Sequence, residues 1–174
     1  RQKPVGWDKA IPDLSDAREE RTLELSAIYE PVQEDLDKVE DKLKSVSQVD
    51  FPYLSELLNY SLQSNGKRIR PALTLLSGKF YNYDLNYLLP MATAAEVLHT
   101  ATLIHDDAID NSPMRRGRPT VYKLWGEEQA ILLGDYLFAE AGALTATTQN
   151  LRVIKLFADT LKAISSGELN QAFN

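Results

Sequence analysis

Three carboxylates fall within five residues at Asp106-Asp107-Ala108-Ile109-Asp110. On a helix, Asp106 and Asp110 stand four apart and share one face, with Asp107 beside them. Like charges this close disfavour full ionisation unless a cation sits between them. An all-oxygen donor set suits magnesium, which takes one or two protein carboxylates and completes its shell with waters and phosphate oxygens. The chemistry expected here is a magnesium-bridged diphosphate. The plain alternative is a solvated acidic helix end, which the helix macrodipole mildly disfavours.

Two cation-rich turns flank this cluster in sequence. Asn65-Gly66-Lys67-Arg68-Ile69-Arg70-Pro71 packs three cations ahead of a helix, and Arg70 and Lys67 are spaced to face one way. Free N–H groups at a helix start bind anions, and added cations deepen that preference. Arg115-Arg116-Gly117-Arg118-Pro119-Thr120 follows the aspartates after a short loop. Its guanidinium groups can hold phosphate oxygens bidentately, or can form a loop that neutralises the aspartates themselves. Taken alone, each turn also reads as a solvated basic loop. Together, an acidic cluster between two arginine-bearing turns is what diphosphates and their magnesium ions require.

Helices must position these groups. Residues 1–14, with Pro4, Gly6 and Pro12, form a lead-in, and Asp16 with Glu19 makes a capping box for a helix to about Tyr29. Pro31 suits the first turn of the next helix, whose Val32, Leu36, Val39, Leu43 and Val46 recur at spacings of three and four. A helix from Pro52 ends near Ser64-Asn65-Gly66, with Gly66 the expected terminator. Another runs from about Pro71 to Phe80. Asp84 caps a long one from Leu85 to Ile109, which ends in the aspartates. Residues 111–119 are a loop by composition, and further helices are expected at about 119–125, 127–148 and 150–172. No alternating strand pattern and no repeat emerges. The fold class is all-α, an antiparallel helix bundle with its sites between facing helices.

Composition agrees. With 44% hydrophobic and 25% charged residues the chain is an ordinary globular protein, and 174 residues suffice for one core. A net charge of −6 argues against nucleic acid as a partner. There is no cysteine, which excludes disulfides and thiolate metal sites and fits a reducing, cytoplasmic location. The apolar stretches from Tyr87 to Ile104 and from Ala130 to Ala146 are broken by Pro90, Glu96 and His99, or by Asp135 and Glu140, so neither reads as a membrane span. The first residue is Arg, so an organellar location after loss of a targeting segment stays open.

Gly66-Lys67-Arg68-Ile69-Arg70-Pro71 resembles the GKRxRP signature of trans-isoprenyl (polyprenyl) diphosphate synthases. Asp106-Asp107-Ala108-Ile109-Asp110 matches their first DDxxD motif, Arg115-Arg116-Gly117 their paired arginines, and His99 stands seven residues before Asp106. The likeness runs from about residue 29 to the end. It sets 1–28 apart as an N-terminal extension and makes 29–174 the N-terminal part of a polyprenyl synthase domain of the isoprenoid synthase type. Terpene cyclases and squalene-type synthases share DDxxD but lack the GKRxRP turn.

The resemblance implies an enzyme that condenses isopentenyl diphosphate with an allylic prenyl diphosphate. Lys67, Arg70 and His99, assisted by Arg116, would hold the diphosphate of isopentenyl diphosphate. Asp106 and Asp110 would bind Mg2+ bridging to the allylic diphosphate, with Asp107 supporting and Arg115 contacting that diphosphate. Glu168 and Gln171 resemble a further polar motif lining the site. The tail would run down past Leu98, Ala101 and Thr102. Family members that make short products carry aromatic residues just before the aspartates, whereas Ala101 and Thr102 are small. A product longer than farnesyl diphosphate is therefore expected, unless these small residues serve close helix packing. The family's later lysine-threonine motif and second aspartate-rich motif do not occur here. The expectations are a piece of a synthase, half of an enzyme completed by another chain, or a non-catalytic partner subunit. The family implies a homodimer.

Overall fold

The computed structural model describes residues 25–63 and 66–173. The chain divides into two units, residues 1–30 and 31–174. Of the first, the described part is essentially a short helix, α1 (Leu25–Tyr29). The capping box at Asp16 and Glu19 lies outside the described residues.

In the second unit a 3-10 turn through Pro31 leads into α2 (Gln33–Val46). All five apolar positions picked out by spacing, Val32, Leu36, Val39, Leu43 and Val46, are buried. α3 (Pro52–Leu62) opens with proline at its first position, where the missing N–H costs little. α3 ends at Leu62, short of Gly66, and among the described residues of this connection the left-handed backbone falls on Arg68, at φ 48°. α4 (Ile69–Gly78) then starts two residues ahead of the expected Pro71. Proline fits there because the first four N–H groups of a helix have no partner within it.

α5 (Leu85–Ile109) has the bounds that its sequence predicts. The Asp84 carboxylate accepts from the Asn86 N–H at 2.9 Å, and Pro90 sits within the first two turns. α5 is the central element: it packs most extensively on α7 (Glu127–Ala146) and also meets α2, α3, α4 and α6 (Val121–Trp125). Between α5 and α7, Gly134 permits the close approach. A Cβ there would lie 2.1 Å from Nε2 of His105.

Residues 111–119 contain what composition did not reveal, a two-rung hairpin of β1 (Met114–Arg115) and β2 (Arg118–Pro119). Two-residue strands are too short to show alternation. Arg116 and Gly117 both have positive φ, 50° and 77°, as a tight mirror-image turn demands. Thr120 anchors the hairpin: its hydroxyl donates to the Ser112 carbonyl at 2.7 Å and accepts from Lys123 N at 3.1 Å, which caps α6. α8 (Leu151–Phe173) packs on α7 and buries no residue fully. No helix among the described residues is long and apolar enough to cross a membrane.

Candidate active site

Successive residues on a helix diverge by about 100°, and this decides which carboxylates act together. His99, Thr102, Asp106 and Asp110 fall within about 80° of arc, whereas Asp107 is turned away from Asp106 by about 100°. The C-terminal end of α5 therefore separates two clefts. Asp106 and Asp110 line one of them, with Thr102, Phe138 of α7, and Ile164, Glu168 and Gln171 of α8. Asp107 lines the other, with Tyr60, Arg115, Arg116 and Thr120.

The first cleft brings Glu168 and Gln171, placed by resemblance alone, to the same space as the aspartate pair. No hydrogen bond or ion pair among the described residues engages the side chain of Asp106 or Asp110. Two unengaged carboxylates one turn apart are a donor set that fits magnesium completed by phosphate oxygens and water. No group of three or more acidic, histidine or cysteine side chains suited to a metal occurs among the described residues. Behind the pair, His105 lies against Phe138 with ring centroids 5.1 Å apart, and its Nε2 is 2.9 Å from the Ile131 carbonyl. Facing a carbonyl, that nitrogen carries the proton. Of the three positions expected below the aspartates, Thr102 lines this cleft. Ala101 has no exposure, and neither it nor half-buried Leu98 is among the residues lining the cleft.

In the second cleft Arg115 grips Asp107 with Nε at 2.9 and 3.1 Å from the two carboxylate oxygens and Nη2 at 2.9 Å. Burial, aided by Asp106 and Asp110, holds the Asp107 carboxyl above the usual range, while Arg115 pulls it back. In this arrangement Arg115 braces the hairpin against α5. Tyr60 fastens the far strand: its hydroxyl donates to the Pro119 carbonyl at 2.6 Å, and Arg118 stacks 4.6 Å from its ring. Sequence reading did not single out Tyr60.

His99 lies half-buried on the arc of Asp106. Burial holds its imidazole below the ordinary value, and Arg70, Arg116 and Arg115 add to the effect against the pull of Glu96. Cations from both turns thus act on one imidazole, which is favourable for an anion beside it. Lys67 and Arg70 are exposed and line neither cleft. The third cation of that turn behaves differently. Arg68 is turned inward, where it bonds Glu40 and Glu96, which composition had marked only as an interruption of an apolar run. A lone carboxylate in such a run was the available signal for a buried cationic partner.

A family model described as polyprenyl synthetase matches residues 51–174. The heptaprenyl diphosphate synthase component 2 of Geobacillus stearothermophilus is 39% identical over 149 residues, which cover 86% of this chain and 47% of that protein. Among solved structures, a decaprenyl diphosphate synthase from Rhodobacter capsulatus superposes with a TM-score of 0.80 at 34% identity, over 86% of this chain and 46% of that one. A polyprenyl synthase from Caulobacter crescentus, complexed with calcium and isoprenyl diphosphate, superposes at 0.78 with 30% identity, over 83% and 44%. The chain spans about half the length of the relatives it matches. With the model matched from residue 51 to 174 and an all-helical bundle like those structures, the chain belongs to the polyprenyl synthetase family.

Proposed function

We propose that the protein is a trans-prenyltransferase, elongating an allylic prenyl diphosphate with isopentenyl diphosphate in a magnesium-dependent head-to-tail condensation. The observation that carries this reading is the Asp106–Asp110 pair, unengaged and opening on a cleft whose walls include Phe138, Ile164 and Leu169. Such a cleft offers a charged mouth for a diphosphate and apolar sides for a prenyl tail. The likeness to a Caulobacter enzyme complexed with calcium and isoprenyl diphosphate supports a divalent ion there.

Asp106 and Asp110 would hold Mg2+, which when bound supplies positive charge to a departing diphosphate. Arg115 would add fixed positive charge to that diphosphate, the electrostatic contribution expected to dominate such a reaction. Lys67, Arg70 and His99, assisted by Arg116, would hold the diphosphate of isopentenyl diphosphate. The allylic C–O bond breaks with its electron pair leaving on the diphosphate, and the isopentenyl double bond forms the new C–C bond. The released diphosphate then takes the proton, and the chain is five carbons longer. Thr102, small and facing the cleft, leaves its floor open, and the heptaprenyl and decaprenyl names of two relatives agree with a product beyond farnesyl diphosphate.

We further propose that the working form is a homodimer or is completed by a second chain, in keeping with the name "component 2" of the Geobacillus relative. A cysteine-free chain suits a reducing setting, in the cytoplasm or an organelle. The test is incubation with isopentenyl diphosphate, farnesyl diphosphate and magnesium, followed by chromatography of the products. Extension that disappears in Asp106→Ala is expected. Magnesium-dependent binding of both diphosphates without extension would instead favour a non-catalytic prenyl-diphosphate-binding subunit.

A further inference from the structure

Arg68 sits between Lys67 and Arg70 yet takes the opposite direction. Its side chain is only 13% exposed. Nε and Nη2 together grip the two oxygens of Glu40 on α2, the latter at 3.1 Å. Nη1 reaches Glu96 Oε1 on α5 at 2.9 Å, and Nη2 also donates to the Leu62 carbonyl at 3.1 Å. Four of the five guanidinium N–H groups are used, on three different helices. That carbonyl belongs to the last turn of α3, where helix carbonyls lack an internal partner. Burial works against the charge of Arg68, but the bonds to Glu40 and Glu96 outweigh it.

The backbone follows the side chain. Arg68 is held left-handed at φ 48°, and its carbonyl accepts the Ala72 N–H at 3.1 Å as the first bond of α4. Turning Arg68 inward sends its neighbours outward: Lys67 and Arg70 are exposed. On α5, Glu96 lies one turn before His99, so Arg68–Glu96 is the tie nearest to both the Lys67–Arg70 turn and the imidazole. Arg70 acts electrostatically on His99 across this gap. A planar fork with donors on three edges can span three acceptors, whereas a lysine ammonium is one point.

We infer that Arg68 is a positioning residue, setting the turn of Lys67 and Arg70 against the His99 face of α5 and so tuning affinity for isopentenyl diphosphate while leaving that for the allylic diphosphate little changed. The inference rests on the prenyltransferase reading above. Arg68 touches no substrate in this account. The allylic partner is served by Asp106, Asp110 and Arg115, none of which Arg68 contacts.

The test compares the chain with Arg68→Lys, Arg68→Ala and Glu40→Gln. Folding is followed by circular dichroism, and binding of isopentenyl diphosphate and of farnesyl diphosphate with magnesium by calorimetry. Glu40 is 37% exposed, so Glu40→Gln keeps the comparison available should Arg68→Ala unfold. In folded variants the expected result is isopentenyl diphosphate binding weakened roughly tenfold, with farnesyl diphosphate binding within about twofold of the parent. Arg68→Lys should recover part of the loss seen in Arg68→Ala. Equal weakening of both ligands, or unchanged isopentenyl diphosphate binding, would overturn the inference and leave the prenyltransferase reading intact. A parent chain that binds neither diphosphate would overturn both.

Discussion

The two cation-rich turns divide their charges alike: each sends one arginine inward and presents the others. They differ in the fate of the inward one. Arg68 is 13% exposed and fixed by Glu40, Glu96 and a carbonyl, a closed network with no donor to spare for a ligand except one N–H. Arg115 is 38% exposed, and its sole ionic partner, Asp107, stands in the aspartate cluster itself. The first brace ties three helices together, and the second ties the hairpin to one carboxylate. The number of elements clamped, not the number of charges in the motif, separates the two inward arginines.

Replacing each inward arginine with alanine measures that difference most sharply. Arg68→Ala leaves Glu96 buried and unpaired, and stability should fall by about 3–5 kcal/mol. Arg115→Ala should cost only about 1–2 kcal/mol, because Asp107 is already inclined to take up a proton. It should nevertheless slow elongation by about 10²–10³-fold. Urea unfolding and single-turnover assays of the two variants check this, and equal losses of stability would break the distinction. Within the hairpin, a Cβ at Gly117 would meet no neighbour, yet φ 77° is costly for any side chain, so Gly117→Ala isolates the backbone cost. About 1–2 kcal/mol should be lost, with Arg116 as the turn residue displaced and activity falling alongside the thermal midpoint. At the hairpin base, Thr120→Ala removes the cap of α6 and should cost about 1 kcal/mol by the same unfolding measurement.

The smallest effect joins both turns. Burial, and then Arg70 with Arg116 and Arg115, hold the His99 imidazole below the ordinary 6.5 against the pull of Glu96. As pH falls through 6.5, the unfolded chain binds the proton before the folded one does, so folding stability drops. That part of the stability is fully present above 6.5 and is lost as pH falls toward the folded value. His99→Gln should flatten this portion of the pH–stability curve, read from urea midpoints at a series of pH values. An unchanged curve would mean that neither burial nor the arginines of the two turns lower the His99 imidazole.

Much of this arrangement is legible in the residues. Asp84 at one end and the Asp106–Asp110 cluster at the other fixed the limits of α5, because a capping carboxylate and a long apolar run each have one physical reading. The buried stripe of α2 followed from spacing alone. The hairpin did not, since four paired residues carry no periodicity. Nor did the inward turn of Arg68, because GKRxRP looks like three equivalent cations until Glu40 and Glu96 are brought near by the fold. Ala101 is instructive in another way. Counting residues back from Asp106 puts it beside Thr102, but a step of about 100° leaves Ala101 buried out of the cleft that Thr102 lines. Residues 1–24 lie outside the described residues, and their composition alone suggested no role in the site.

The divergence of Asp106 from Asp107 around α5 makes the helix a matter of phase. Adding one residue between His99 and Asp106 would rotate the aspartates by about 100° relative to His99, Glu96 and everything upstream. Asp106 would then take the azimuth that Asp107 has now, and Asp107 would swing about 100° further away. A seven-residue insertion returns to within about 20° of the starting azimuth while lengthening the helix by about 10 Å. Over evolutionary time α5 can therefore change length only in whole heptads or near-equivalents, whereas the loops at its ends are under no such arithmetic.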